Sequence, residues 1–147
     1  MGLVRISAPS SPILADTSFL VSVYDKREAR HRQCIAALDR VDRPLATCEP
    51  VITEAIYHLR RIPKAQQAIL ESVEKEILEI PFRISETARD VAGLMVKYAD
   101  TPCDLADACL IAMADKLDAG DILTLDSDFR HYRWRRNKRF RLLIPLD

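Results

Sequence analysis

Acidic side chains stand where the predicted secondary structure would bring carboxylates together. Asp16 follows the apolar run Ile13–Ala15, and Asp126 follows the apolar run 122–125, so each ends a predicted short strand. The carboxyl ends of parallel strands meet at one edge of an open sheet, where ligands bind. Either Asp alone is typical of a helix cap or a turn. Their shared placement at two strand ends indicates a site.

Asp104 and Asp107 open a predicted helix that is apolar around nearly its whole circumference and should therefore be buried. Both acids suit a helix start, as N-cap and first-turn residue. However, Asp107 lies on the stripe of Ile111, where a carboxylate is unfavourable unless positive charge compensates it. No Lys or Arg occurs between Lys97 and Lys116. A bound cation would supply that compensation.

The acids are dense enough to indicate a metal site. Residues 100–129 carry eight acids and one base, and hard cations such as Mg²⁺ or Mn²⁺ best offset the repulsion of clustered carboxylates. Zinc is disfavoured because His31, His58 and His131 show no ligand spacing. Carboxylate-held Mg²⁺ usually serves phosphoryl chemistry. The pattern predicts a metal-dependent enzyme acting on phosphate esters, whereas Glu54 by itself is typical of a solvated boundary residue.

Short apolar runs alternate with helical patterns along the chain. The predicted strands cover 13–15, 44–47, 80–84, 122–125 and 141–146. The predicted helices cover 17–25, 28–41, 50–59, 64–77, 85–98 and 104–119, the last closed by Gly120. Strands alternating with helices favour a mainly parallel sheet covered on both faces. We predict one α/β domain over 13–147, a three-layer α/β/α sandwich with a short central sheet, after a flexible lead-in over 1–12.

Composition agrees with a globular domain. The chain has 147 residues, of which 48% are hydrophobic and 30% charged, which excludes an intrinsically disordered chain. No apolar run approaches the length of a membrane span, and no signal segment opens the sequence. The four cysteines, which lack CxxC spacing, are Cys34, Cys48, Cys103 and Cys109. They are predicted to be reduced thiols of a cytoplasmic protein.

Four blocks occur in a characteristic order. They are ILADTSFLV around Asp16, the pair Thr53–Glu54, DLADACLIAMA from Asp104, and LTLDSDF around Asp126. DLADA followed by TxDxxF is fairly specific. Together the blocks, over about 13–146, resemble the PIN-domain ribonucleases, and in particular the VapC-type toxins of prokaryotic toxin–antitoxin pairs. The sequence departs from that pattern at its start, where twelve residues precede the first strand.

The resemblance implies a PIN-like fold and a specific metal site. The implied metal-binding and catalytic acids are Asp16, Glu54, Asp107 and Asp126. The implied supporting residues are Asp104 and Asp128 as auxiliary acids, with Thr17 and Thr124 orienting the first and last acids. One or two Mg²⁺ or Mn²⁺ ions would activate a water for in-line endonucleolytic cleavage of RNA, leaving a 5′-phosphate and a 3′-hydroxyl. The implied partners are the RNA substrate, a small antitoxin protein and a second copy in a homodimer, and no membrane.

The net charge of zero hides two opposed regions. Residues 1–129 carry 15 bases and 21 acids, and residues 130–147 carry seven bases and one acid. Aromatic Tyr132, Trp134 and Phe140 are interleaved with these bases, a combination typical of single-strand RNA binding. The predicted RNA contacts are Arg130, Arg133, Arg135, Arg136, Lys138 and Arg139. The alternatives are a solvated basic hairpin with core aromatics, or a dock for an acidic protein partner.

Three other functions fit part of the pattern. A phosphatase or receiver domain would want a second acid beside Asp16, but Thr17 follows it. A catalytically quiet RNA-binding module would have no use for the repulsion among four acids. A housekeeping RNA-processing nuclease is the closest rival of a toxin, and a short antitoxin gene next to this one would decide between them.

Overall fold

The computed structural model describes residues 11–146. The six helices of this part are α1 Thr17–Tyr24, α2 His31–Asp39, α3 Glu49–His58, α4 Pro63–Glu74, α5 Ile84–Lys97 and α6 Leu105–Leu117. Its strands are β1 Ile13–Ala15, β2 Leu45–Ala46, β3 Leu78–Glu79, β4 Asp121–Leu123, β5 Arg133–Trp134, β6 Lys138–Arg139 and β7 Arg141–Leu142. Of the predicted lead-in over 1–12, residues 1–10 lie outside the described part.

Five short parallel strands form the central sheet, in the order β3-β2-β1-β4-β7. Leu14 of β1 lies between Ala46 of β2 and Ile122 of β4, so the most buried strand is the one that ends at Asp16. Helices surround this sheet, and the predicted α/β/α architecture is confirmed. β5 and β6 pair separately as an antiparallel hairpin.

Several predicted boundaries differ from the structure, and the largest differences are in two strands. The strand expected over 80–84 is Leu78–Glu79 instead, because Pro81 lacks the N–H that a sheet ladder needs. The last strand stops at Leu142 rather than continuing to 146. β4 ends at Leu123 rather than at 125, so Asp126 lies three residues beyond its strand, whereas Asp16 directly follows β1.

α6 is the central helix of the domain. Its residues from Ala106 to Ala114 are all buried, as its uniformly apolar sequence predicts. The left-handed residue that ends this helix is Asp118, with φ 52°, and not the expected Gly120. Gly120 instead lets the Trp134 ring pack closely against the backbone, since a Cβ there would lie 2.5 Å from that ring.

The described part carries two further features. Its four cysteines are unpaired, in agreement with the predicted reduced thiols. Over residues 11–146, no helix combines the length and the apolar character needed to cross a lipid bilayer.

Candidate metal centre and active site

The predicted acids meet in one pocket at the carboxyl edge of the sheet. The pocket has a volume of about 370 Å³, and the acids that line it include Asp16, Glu54, Asp104, Asp107 and Asp126. Thr17, Ser18 and His58 also contribute to its wall, while none of the described residues that line it is a Lys or an Arg. The fold therefore concentrates negative charge in a pocket whose described lining holds no Lys or Arg to neutralise it.

β1 and β4 together hold Asp16. Its backbone N–H donates to the carbonyl of Leu123 at 3.0 Å, which fastens the end of one strand to the other. Asp16 is also the N-cap of α1, since its Oδ1 accepts from the backbone N–H of Thr17 at 2.7 Å. Only 4% of its surface is exposed. The cap hydrogen bond turns the carboxylate into the pocket and keeps it there.

Thr124 links the first acid to the last. Its hydroxyl donates to Oδ2 of Asp16 at 2.6 Å, and its Oγ1 accepts from the backbone N–H of Asp126 at 2.9 Å. Ser18, which the sequence did not single out, accepts from the N–H of Leu125 at 2.9 Å. The hydroxyls thus join the segment after β4 to the start of α1.

Thr17 does more than flank Asp16. Its hydroxyl donates to Oε1 of Glu54 at 3.1 Å, across 37 positions of the chain. Glu54 lies on α3 and is half-buried. This contact holds the Glu54 carboxylate in the pocket. Its position on the helix alone had predicted a solvated boundary residue.

The first turn of α6 presents two acids to the pocket. Asp104 caps the helix by accepting from the N–H of Asp107 at 2.9 Å. Asp107 is 7% exposed, and its Oδ2 accepts from the hydroxyl of Tyr132 at 3.1 Å. Tyr132 itself is completely buried. The sequence offered no signal for this contact, because the two residues are 25 positions apart.

Asp128 lies outside this group. Its backbone N–H donates to Oδ1 of Asp126 at 2.9 Å, in the turn Ser127–Arg130, but its carboxylate does not line the pocket. Asp128 thus contacts the Asp126 carboxylate with its backbone N–H and not with its own side chain. The predicted auxiliary role of Asp128 stays a prediction.

Four carboxyl groups of the pocket have raised pKa values and so hold their protons more tightly than free Asp and Glu do. Burial, opposed by the Thr124 hydrogen bond, raises the pKa of Asp16 to about 6. Burial together with the charges of Asp104 and Asp16 raises the pKa of Asp107 to about 8. Burial is also the main reason why the pKa values of Glu54 and Asp126 are raised. Such shifts are typical of functional sites that lack a counter-charge.

The donor set fits a hydrated hard cation. Among residues 11–146, no three Asp, Glu, His or Cys side chains already lie close enough together to ligate one metal ion directly. Mg²⁺ does not require this, because it keeps several waters and is usually held by one or two carboxylates. A pocket of about 370 Å³ with oxygen donors around its wall leaves room for those waters. The residues present therefore fit Mg²⁺ or Mn²⁺.

The aromatic side chains near the C-terminus belong to the core. Tyr132, Trp134 and Phe140 are buried, and Phe129 packs edge-on against both Tyr132 and Phe140 at ring-centre distances of 5.0 and 5.4 Å. Tyr98 packs in the same way on Tyr132. Of the two predictions for these aromatic side chains, the one that placed them in the core is therefore the correct one, since buried rings offer no face on which an unpaired base could stack.

The predicted RNA-contacting bases are not part of the pocket wall. Arg130, Arg135, Arg136, Lys138 and Arg139 are exposed. Arg133 is half-buried, and its guanidinium donates to the main-chain carbonyls of Arg130, His131 and Tyr132. The structure therefore separates the acidic pocket from the basic segment.

The fold and the acidic pocket agree with a known protein family. The PIN domain family matches residues 13–135, and the chain belongs to this family. Ribonuclease VapC26 of Mycobacterium tuberculosis is 27% identical over 122 residues, covering 82% of this chain and 89% of that protein. The crystal structure of Mycobacterium tuberculosis VapC20, described as a Sarcin-Ricin loop cleaving toxin, matches with a TM-score of 0.73. That match has 18% identity and covers 79% of this chain and 91% of VapC20.

Replacing Tyr132 by Phe is expected to weaken Mn²⁺ binding about tenfold or more. The change removes the hydroxyl that orients Asp107 but keeps the ring packed against Phe129. Loss of a hydrogen-bond partner of a metal ligand typically lowers metal affinity 10- to 100-fold. Isothermal titration with Mn²⁺ measures the effect without reference to activity.

Tyr98→Phe is the matched control for this prediction. It removes a hydroxyl from the same aromatic group, but that hydroxyl accepts from the N–H of Arg133 at 2.9 Å and contacts no acid. Its Mn²⁺ affinity should equal that of the unchanged protein. Equal affinities for the Tyr132→Phe and Tyr98→Phe variants would show that Tyr132 acts only in packing.

Proposed function

We propose that the chain is a metal-dependent endoribonuclease and the toxin of a type II toxin–antitoxin pair. The observation that supports it best is the pocket in which Asp16, Glu54, Asp107 and Asp126 converge, with no Lys or Arg among the described residues of its wall. That pocket lies within a PIN domain. The proposed reaction is hydrolysis of an RNA phosphodiester to a 5′-phosphate and a 3′-hydroxyl.

Asp16, Glu54, Asp107 and Asp126 would hold one or two Mg²⁺ or Mn²⁺ ions. When bound, such an ion lowers the pKa of a water and stabilises charge on the phosphate. Thr124 keeps the carboxylates of Asp16 and the backbone of Asp126 in fixed relation. Thr17 does the same for Glu54.

This chain's own hydrogen bonds thus pre-organise the acids before any ion arrives. Because the buried carboxyl of Asp107 keeps its proton up to a pKa of about 8, metal binding there must displace a proton. The hydroxyl of Tyr132 favours the ionised carboxylate and so eases that loss.

The toxin assignment draws on the two relatives. Ribonuclease VapC26 is named for RNA cleavage, and VapC20 is described as a toxin. By similarity we propose a small antitoxin protein as the partner, together with a homodimer and a cytoplasmic location. The exposed bases of residues 130–139 are proposed to contact the RNA.

Controlled expression in a bacterial host tests the proposal. The chain should arrest growth and create discrete new RNA 5′ ends that carry a monophosphate, and co-expression of an adjacent antitoxin gene should restore growth. Sequencing of 5′ ends in induced and uninduced cells measures this. A metal-supplemented purified protein that leaves total RNA intact would contradict the nuclease assignment, whereas cleavage without growth arrest would favour an RNA-processing enzyme.

A further inference from the structure

An exposed aromatic ring lies on the helix that carries Glu54. Of the Phe, Tyr and Trp residues in 11–146, only Tyr57 of α3 is exposed, with 61% of its surface open to solvent. A single exposed apolar side chain is common on protein surfaces and needs no function of its own. The surroundings of this ring therefore decide whether it forms a site.

The exposed ring lies beside the acidic pocket. Tyr57 follows Glu54 by three positions and His58 follows it by four, and both Glu54 and His58 line the pocket. Residues three and four apart are neighbours on a helix surface, with Cβ atoms about 5–6 Å apart. Tyr57 itself is not part of the pocket wall. It therefore lies at the rim, next to the helix face that presents Glu54.

Neighbouring side chains hold the Tyr57 ring in position. The guanidinium carbon of Arg60 lies 4.2 Å from the ring centre, and Nη1 of Arg60 donates to the Tyr57 carbonyl at 3.0 Å. The His58 ring meets the Tyr57 ring edge-on, at a centre distance of 5.9 Å. Such contacts with a cation and a second ring favour one orientation of the side chain. The ring is thus a flat apolar surface that is oriented in advance.

Positive charge surrounds this ring. Arg60, Arg61 and Lys64 are exposed, and none of them forms an ion pair with any residue of 11–146. An aromatic ring among bases is typical of surfaces that bind unpaired nucleotides. A second copy of the chain fits less well, because a two-fold contact centred on Tyr57 would bring two Arg60 side chains together.

We propose that Tyr57 is a stacking platform for an unpaired nucleobase next to the cleaved bond. A base within a duplex is paired and stacked already, so it must leave the duplex before it can reach the ring. Every base has a π-face, so the platform selects an unpaired nucleotide and not a particular sequence. The preferred substrate is an RNA with an unpaired nucleotide beside the cleaved bond. This inference rests on the proposed ribonuclease function.

Three substitutions at position 57 test the platform. Tyr57→Ala removes the ring, so affinity for a labelled single-stranded RNA of about 12 nucleotides should fall about 5- to 100-fold. Tyr57→Leu keeps apolar bulk without a π-face and should lose nearly as much, whereas Tyr57→Phe should keep most of the affinity. Fluorescence anisotropy in EDTA measures binding without cleavage.

The salt dependence of binding separates stacking from charge. Stacking releases no counterions, so Tyr57→Ala should lower the affinity and leave the slope of log affinity against log salt unchanged. Leu70→Ala, which removes an exposed apolar side chain from α4, is the matched control and should keep the original affinity. Both variants should melt within about 3 °C of the original chain, because neither side chain belongs to the core.

Cleavage with Mn²⁺ tests the substrate preference. The original chain should cleave a single-stranded target faster than the same strand paired with its complement. Tyr57→Ala should reduce the ratio of the two rates, whereas Tyr57→Phe should preserve it. An unchanged ratio in Tyr57→Ala would contradict the selection of an unpaired nucleotide by this ring.

Two binding results would overturn the proposal. One is equal RNA affinity of the Tyr57→Ala variant and the original chain. The other is conversion of a dimer to a monomer by Tyr57→Ala in light scattering with RNA affinity unchanged, which would assign the ring to a contact between copies. Failure of the nuclease assignment is recognised separately, as RNA that binds through Tyr57 but stays intact with Mn²⁺.

Discussion

Asp107→Asn is expected to abolish RNA cleavage and, at the same time, to stabilise the metal-free protein. Loss of a hydrogen-bond partner of a metal ligand typically lowers activity 10- to 100-fold. Loss of a ligand itself should therefore reduce cleavage by more than about 100-fold. The fold should survive because Asn is nearly isosteric and its amide oxygen can still accept from Tyr132. Cleavage of a labelled RNA with Mn²⁺ and a thermal melt of the same sample measure both effects.

Three other variants sharpen this first prediction. Asp16→Asn should lose cleavage to a similar extent, whereas Asp90→Asn, an exposed acid on α5, should change nothing. Asp128→Asn should cause a smaller loss, because its carboxylate lies outside the pocket wall. Undiminished cleavage by the Asp107→Asn variant would refute the assignment of the site.

The stability of the metal-free protein is expected to fall between about pH 4 and pH 8 because of the pocket carboxyls. The folded-state pKa is raised from 3.8 to about 6 for Asp16 and to about 8 for Asp107. In that window the folded chain binds more protons than the unfolded chain, so the free energy of unfolding decreases as the pH rises. The penalty is absent below about pH 3.8 and complete above about pH 8.

The size of this effect can be measured by difference. After allowance for solvent screening, the Asp107 carboxyl should cost about 2–4 kcal/mol at pH 8. This corresponds to a Tm difference of about 5–10 °C between the Asp107→Asn variant and the original chain, vanishing near pH 4. Thermal melts from pH 4 to pH 9 in EDTA test it, since ion pairs such as Asp121 with Arg141 cancel in the difference.

Divalent metal should restore the folding stability that the metal-free protein loses as the pH rises. Mn²⁺ or Mg²⁺ in excess stabilises the folded state that binds it, so the Tm of the original chain at pH 8 should rise. The Asp107→Asn variant should show a smaller rise at the same metal concentration. Equal rises in both proteins would place the bound metal away from Asp107.

The sequence was sufficient to predict the parallel sheet and most of the acids that line the pocket. Asp16 and Asp126 follow apolar runs whose strand character is local, and parallel strands must end at a common edge. The uniformly apolar helix after Asp104 predicted its own burial. Glu54 was assigned only through the resemblance, because the donor that draws it inward, Thr17, lies 37 positions away.

The basic segment shows where such reasoning stops. Its composition predicted RNA contacts for the bases but left open whether the aromatic side chains stack on RNA or lie in the core, since a short interleaved pattern does not reveal which residues face the core. Packing against Phe129 and Tyr98 decided that Tyr132 is buried. Once buried, its hydroxyl required an acceptor, and Asp107 supplies it.

The sequence by itself thus predicted the class of fold, the order of the central strands and helices, and the convergence of Asp16, Asp107 and Asp126, because periodicity and placement at the ends of strands and helices are properties of neighbouring residues. Only the tertiary structure decided which side chains support those acids and that the bases of residues 130–139 lie outside their pocket. These depend on contacts between distant parts of the chain. The hydroxyl of Tyr132 on Asp107 and the salt bridge of Arg135 to Asp118 are such contacts, and no local pattern encodes them.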